Sequence, residues 1–201
     1  MTDHYHHGDL PSTLRAATAE LVAERGPRGF SLREVARRAG VSHAAPAHHF
    51  GDSRGLLTAV AVEGFTALAD ALAAAAASST DVRQRLRACG RAYVATAMTY
   101  PGHYAVMIDT SIHDPDDPGL ATEGFRAFAQ LIEAVEAIRD ACNPELDIET
   151  AATTCWATMH GLVVLDPKMA MIAEKLGQTP PDIVTRVDGA VDLLFDGFIQ
   201  R

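Results

Sequence analysis

The sequence predicts an all-α protein, on three observations. Apolar residues recur at three- and four-residue steps along most of the chain, no stretch alternates convincingly between apolar and polar, and Gly, Pro and Asn interrupt it at helix-length intervals. Across 201 residues, 48% of side chains are hydrophobic. That is enough for a sizeable core without disulfides or metals, and it excludes a disordered chain.

The elements follow in order. Leu14, Ala17, Leu21 and Val22 share one face of a helix over residues 11–25, ended by Gly26 and Pro27. Ser31 and Glu34 form an S-x-x-E capping box, with Phe30 and Val35 placed for a hydrophobic staple, so a short helix begins at Ser31. It presents Leu32, Val35, Ala36 and Ala39 on one face and stops at Gly40. Ser42 then offers an N-cap for a third helix through Phe50, which makes Pro46 the fourth helical residue and removes the first bond back to Ser42. Asp52 or Ser53 caps a long fourth helix through Leu56, Leu57, Val60, Phe65 and Leu68 to the alanine run 73–77.

Further starts fall at Thr80 or Asp81, near Asp116, at Asp147, and at Thr179 with Pro180 in the favoured first position. Breaks at Pro101-Gly102, residues 115–119, Asn143-Pro144, Asp166-Pro167 and Gly177 give helices of 81–100, 103–113, 118–142, 147–165 and 180–199, with a shorter turn at 169–176. The last helix carries a wide apolar stripe of Ile183, Val184, Val187, Ala190, Val191, Leu194, Phe195 and Phe198.

A helix, a tight glycine turn and a second short helix make the helix-turn-helix signature. A helix enters the major groove only when its outward side chains are small or can hydrogen-bond, and His43, Ala44, Ala45, Ala47, His48 and His49 qualify. Charge agrees with that reading. The chain is −9 overall, yet residues 1–60 hold seven basic and six acidic side chains, and five of those seven lie between Arg28 and Arg54. Only this part suits a polyanion. Arg54 follows in the first turn of the fourth helix, a natural phosphate contact.

These residues resemble the TetR-type transcriptional regulators. The likeness runs from Tyr5 to about Val60, through YHHGDL, Gly26, FSLREVARRAGVS, HHF and GDSRGLL, and WATMHGL at 156–162 resembles the Trp-His-Gly element of one C-terminal subgroup. The resemblance implies a three-helix DNA-binding domain over 1–55 and a helical effector-binding and dimerisation domain over 56–201. It assigns DNA contacts to Ser42, His43, Ala44, His48, His49 and Arg54, with Ser31 and Arg33 at the start of the second helix. His43 and Ala44 are expected on base edges, and His48, His49 and Arg54 on phosphates. Ala47 is placed with these contacts, at the position where the family commonly has a phosphate-contacting tyrosine. A homodimer through the last two long helices, on a palindromic operator, is the implied assembly.

For an effector, Tyr93, Met98, Tyr104, Met107, Phe125, Phe128, Trp156, Met159 and His160 suit a mainly apolar cavity with a few orienting groups, and core packing accounts for the same residues. The expected ligand is small, organic and partly hydrophobic, and the expected sense is repression relieved by that ligand. No cofactor or metal is expected. His4, His6, His7, His48 and His49 are joined by no Cys or carboxylate at fixed helical spacing. An enzyme is excluded by the lack of GxSxG, P-loop, HExxH or paired-carboxylate motifs.

Two alternatives are a thiol-redox regulator using Cys89, Cys142 and Cys155, and a helical interaction module without specific DNA binding. No window approaches the roughly 20 uncharged apolar residues of a membrane helix. The N-terminus is polar and not of signal-peptide type, so a cytoplasmic protein is expected.

Overall fold

The computed structural model describes residues 10–199, among which are nine α-helices and no strand. They are α1 (Leu10–Arg25), α2 (Leu32–Arg38), α3 (Ala45–Phe50), α4 (Ser53–Ala76), α5 (Val82–Thr99), α6 (Pro101–Ile108), α7 (Pro118–Cys142), α8 (Ile148–Lys175) and α9 (Ile183–Ile199). The histidines at 4, 6 and 7, and the start of the YHHGDL stretch, lie outside the described residues. Packing gathers the helices into two units. One runs up to Phe65 and adds Tyr100–Glu123; the other comprises Thr66–Thr99 and the chain from Gly124 onward.

The first unit is built around α1. Its buried face of Leu14, Ala17 and Leu21 closes with Val35 and Leu56 into one cluster, while Ala19 and Val22 join Leu57, Val60, Ala61, Val106 and Leu120 in another. Ser31 caps α2 as the capping box requires, its Oγ accepting from Glu34 N at 3.3 Å. Such a cap contributes about 1 kcal/mol. The Glu34 carboxylate itself turns to Arg25 at the end of α1. At the other end of α2, Gly40 takes φ +68° and the amide of Val41 reaches the Ala36 carbonyl at 3.0 Å. This left-handed closure aims the chain at α3.

The third helix corrects the sequence reading. It begins at Ala45 rather than just after Ser42, because the Ala45 amide closes a turn on the Ser42 carbonyl at 3.1 Å and Ala44 becomes the cap residue, with no side-chain cap bond. Pro46 therefore falls within the first two helical positions, where its missing N–H has no partner to lose. Of the two caps considered for α4, Asp52 is the one used: its Oδ1 accepts from Gly55 N at 2.9 Å.

Three later boundaries also differ. The sixth helix spans Pro101–Ile108 instead of 103–113, since Pro101 opens it in the position prolines favour. The break expected at Asp166-Pro167 is absent: α8 runs through Pro167 to Lys175, absorbing the separate turn at 169–176. Proline removes one ladder bond, and here Asp166 beside it is tied to Arg186 of α9. The last helix starts at Ile183 rather than at Thr179-Pro180, because the Asp182 carboxylate caps it, accepting from Thr185 N at 3.0 Å and Thr185 Oγ1 at 2.7 Å.

The second unit packs α5 against α8 and α9. Leu86, Val94, Ile138, Cys155, Met159, Val187, Val191 and Phe195 form its main core. Most of the α9 stripe is thus used inside the chain, although Val184 remains exposed.

The expectation that no segment has the length and apolarity of a membrane span is overturned by α4, whose 24 residues meet both criteria. Half of that window is buried within the structure, and Leu56, Leu57, Val60, Leu68 and Leu72 are core residues. Its apolar character serves packing.

Candidate nucleic-acid interface

Helix α3 divides its side chains sharply. Ala45 and Pro46 are buried and Phe50 packs against the Leu14 cluster, whereas Ala47, His48 and His49 are exposed. The two histidine rings meet edge to face with centroids 5.2 Å apart. Ser42, His43 and Ala44 are exposed in the turn leading into the helix, so the outward surface is a turn followed by the outer side of α3. Every side chain on it is small or can donate and accept hydrogen bonds, which is what base edges and phosphates require.

The surrounding arginines separate into neutralised and open ones. Arg15 pairs with Glu63 at 2.7 Å, Arg25 with Glu34, and Arg38 is bidentate on Glu24 at 2.7 and 2.8 Å. The Arg38 guanidinium holds the Glu24 carboxyl below its ordinary value, and the carboxylate raises Arg38 in return. Arg33 and Arg37 are exposed and carry no ion pair among the described residues. Arg28 and Arg54 meet only neutral acceptors, Ser111 Oγ at 3.3 Å and the His113 carbonyl at 3.2 Å. Arg33 and Arg37 on α2 and Arg54 just after α3 therefore carry positive charge without an ion pair among the described residues, while Arg28 lies close enough to Asp109 to help the Ser111 hydroxyl hold its carboxyl below the ordinary value.

All nine expected DNA-contact residues, Ser31, Arg33, Ser42, His43, Ala44, Ala47, His48, His49 and Arg54, are exposed. Ser31 is set apart because its hydroxyl already caps α2. Sequence reasoning missed Thr58, Ser111 and His113. Their hydrogen bonds to this surface join residues 56 to 83 positions apart or lie inside α4, and helical periodicity carries no signal for either.

The effector residues divide between the units. Tyr104 and Met107 are buried in the first, where Met107 Sδ would lie 2.5 Å from a Cβ on Gly64. In the second, Phe128 and Trp156 meet edge to face at 6.1 Å, Phe125 and Met98 are exposed, and Met159 is buried over Gly90. Tyr93 packs beside the same core and His160 is half-buried on α8. Burial pushes the thiols of Cys89 and Cys155 up to about 11 and about 12, far from a reactive thiolate. Cys142 is exposed.

Two family models match the chain. Residues 14–60 match "Bacterial regulatory proteins, tetR family", and residues 86–194 match "Tetracyclin repressor-like, C-terminal domain". No curated protein matches. Among solved structures, a protein of unknown function from Rhodococcus sp. RHA1 is 29% identical, with a TM-score of 0.81 over 99% of this chain and 100% of that one. The TetR-family regulator PfmR from Thermus thermophilus shares 18% identity at TM-score 0.72, covering 94% and 99% of the two chains. FadR from Bacillus subtilis, solved in complex with stearoyl-CoA, shares 13% identity at TM-score 0.73, covering 92% and 98%.

Proposed function

The chain belongs to the tetR family of bacterial regulatory proteins, and on that premise we propose that it is a repressor, released from a palindromic operator by a small, partly hydrophobic ligand. The observation that carries the DNA half of this reading is the outward surface from Ser42 to His49, bordered by arginines without anionic partners. In it, His43 and Ala44 read base edges, while His48, His49, Arg33 and Arg54 bind the backbone. The functional division falls at residue 55, with DNA reading before it and effector binding and dimerisation after it. The working compartment is the cytoplasm, where the operator is.

The homodimer would form through α8 and α9. Leu165, Met169, Ile172 and Leu176 on and just after α8, and Val184 and Leu193 on α9, are exposed apolar side chains, and Leu193 is 78% exposed. The ligand would meet the aromatic residues of α7 and α8, with Phe128 and Trp156 at the centre. An acyl thioester belongs to the expected ligand class, and the Bacillus subtilis relative is in complex with one. Helix α4 carries the reading motif at one end and continues into the second unit, so a ligand that favours one state of that helix changes the presentation of α3. It acts only through its differential affinity for the two states.

The test is a base-substitution scan of a selected duplex with His43→Ala. The expected outcome is altered preference at one position in each half-site. Equal loss on every sequence would remove His43 from base reading.

A further inference from the structure

We propose that the loop between α6 and α7, residues 109–117, is a brace that pre-orders Arg54 for the DNA backbone, with His113 as its anchor. The proposal rests on the DNA-binding reading above and adds residues that lie far from the helix-turn-helix in sequence.

Four hydrogen bonds define the brace. Arg54 Nε donates to the His113 carbonyl at 3.2 Å, and the Asp114 amide donates to Thr58 Oγ1 at 2.9 Å. The Thr58 hydroxyl in turn donates to the Arg54 carbonyl at 2.8 Å. Arg54 is thus held at its side chain and at its own backbone by one loop and the residue that loop grips. At the other flank of the motif, Arg28 donates to Ser111 Oγ at 3.3 Å, so the same loop touches the chain just before α2 and just after α3.

His113 is the buried point of this loop. It is 4% exposed, and neither Nδ1 nor Nε2 has a hydrogen-bond partner. Its side chain therefore holds the loop by filling space, while its carbonyl does the polar work. With Nε fixed, the planar guanidinium is oriented and its terminal nitrogens remain available to a phosphate. A long side chain ordered before binding loses less freedom on binding, and that saving appears as affinity.

The experiment measures binding of the full chain to mixed-sequence duplex DNA, with a double-substitution cycle. Arg54→Ala should weaken binding and lower the salt slope by about 0.9. His113→Ala, which removes the plug, should weaken binding between about two- and tenfold, the cost of ordering one long side chain. In the Arg54→Ala background it should change nothing further. His113→Leu, which refills the space, should bind like the unaltered chain. Thr58→Val removes the hydroxyl that accepts from Asp114 and should reproduce the His113→Ala loss, which keeps the test decisive if His113→Ala does not fold. Wild-type affinity in folded His113→Ala and Thr58→Val chains, or an equal loss with and without Arg54, would overturn the brace. An unaltered chain that binds no duplex at all would overturn the DNA-binding reading itself, and the brace with it.

Discussion

A Cβ placed on Gly102 would lie 1.9 Å from the carbonyl oxygen of Ala19, so α6 and α1 meet backbone against backbone. No rotamer change relieves such a contact, because the obstacle is main chain. Gly102→Ala must push α6 away from α1 and open the Ala19–Val22–Val106 cluster. The expected cost is about 1–3 kcal/mol, read as a lower urea midpoint. An unchanged midpoint would show that the two helices are free to separate.

On α5, Arg83, Arg87 and Arg91 stand at four-residue steps, and Asp188, Asp192 and Asp196 do the same on α9. Arg91 pairs with Asp188, Arg87 with Asp192, and Arg83 with both Asp192 at 3.2 Å and Asp196. The Arg83 guanidinium also lies 4.3 Å over the Phe195 ring. Asp192→Asn should lower the melting temperature and make it less sensitive to salt, because a network is being broken rather than an isolated surface pair. Arg87 and Arg91 hold the carboxyls of Asp192 and Asp188 below their ordinary value. Their stabilisation is complete above the ordinary aspartate value of about 3.9 and is lost as pH falls through the lower folded values. The gap between variant and wild type should therefore persist at neutral pH and close in acid. A gap independent of both salt and pH would contradict this role.

His103 on α6 sits in the first unit with its Nε2 3.9 Å from Glu63 Oε2, and Glu63 is already engaged by Arg15. Burial pushes the imidazole below its ordinary value; Glu63 opposes that shift and Arg15 adds to it. The folded state thus resists taking up the proton. Stability is full above the ordinary histidine value of about 6.5 and declines as pH falls through it toward the folded value. Thermal melts at about pH 7.5 and 5.5 should show a smaller acid loss for His103→Gln than for the wild-type chain, a difference set by the displaced titration. Identical acid losses would exclude His103 as the source.

Ala47 is exposed on α3, at the position where a tyrosine commonly contacts phosphate in the family. Ala47→Tyr should tighten binding several-fold to specific and mixed-sequence duplexes alike, since a phosphate contact carries no base information. Tightening on one sequence only would mean that this position looks at bases.

What is legible in the sequence is local. Ser31, Gly40 and Asp147 mark helix ends through contacts within a few residues, and each does so in the structure. Proline misleads twice, in opposite directions. Pro46 reads as a defect only while Ser42 is the cap, and Pro167 reads as a break because periodicity cannot show that α9 supports α8 beside it. The Arg–Asp ladder spans roughly a hundred residues of sequence, and the Arg54–His113 bond spans 59. Such pairings are decided by tertiary packing, so the outward side chains of the reading surface can be named from the sequence while their supports cannot.

The most direct measurement is binding of the full chain to a labelled duplex from its own upstream region, against a scrambled duplex, at several salt concentrations. The predicted result is a preference of about 10³-fold or more, with an affinity that falls steeply as salt rises. Weak binding, equal on both duplexes, would contradict sequence-specific reading by the surface from Ser42 to His49.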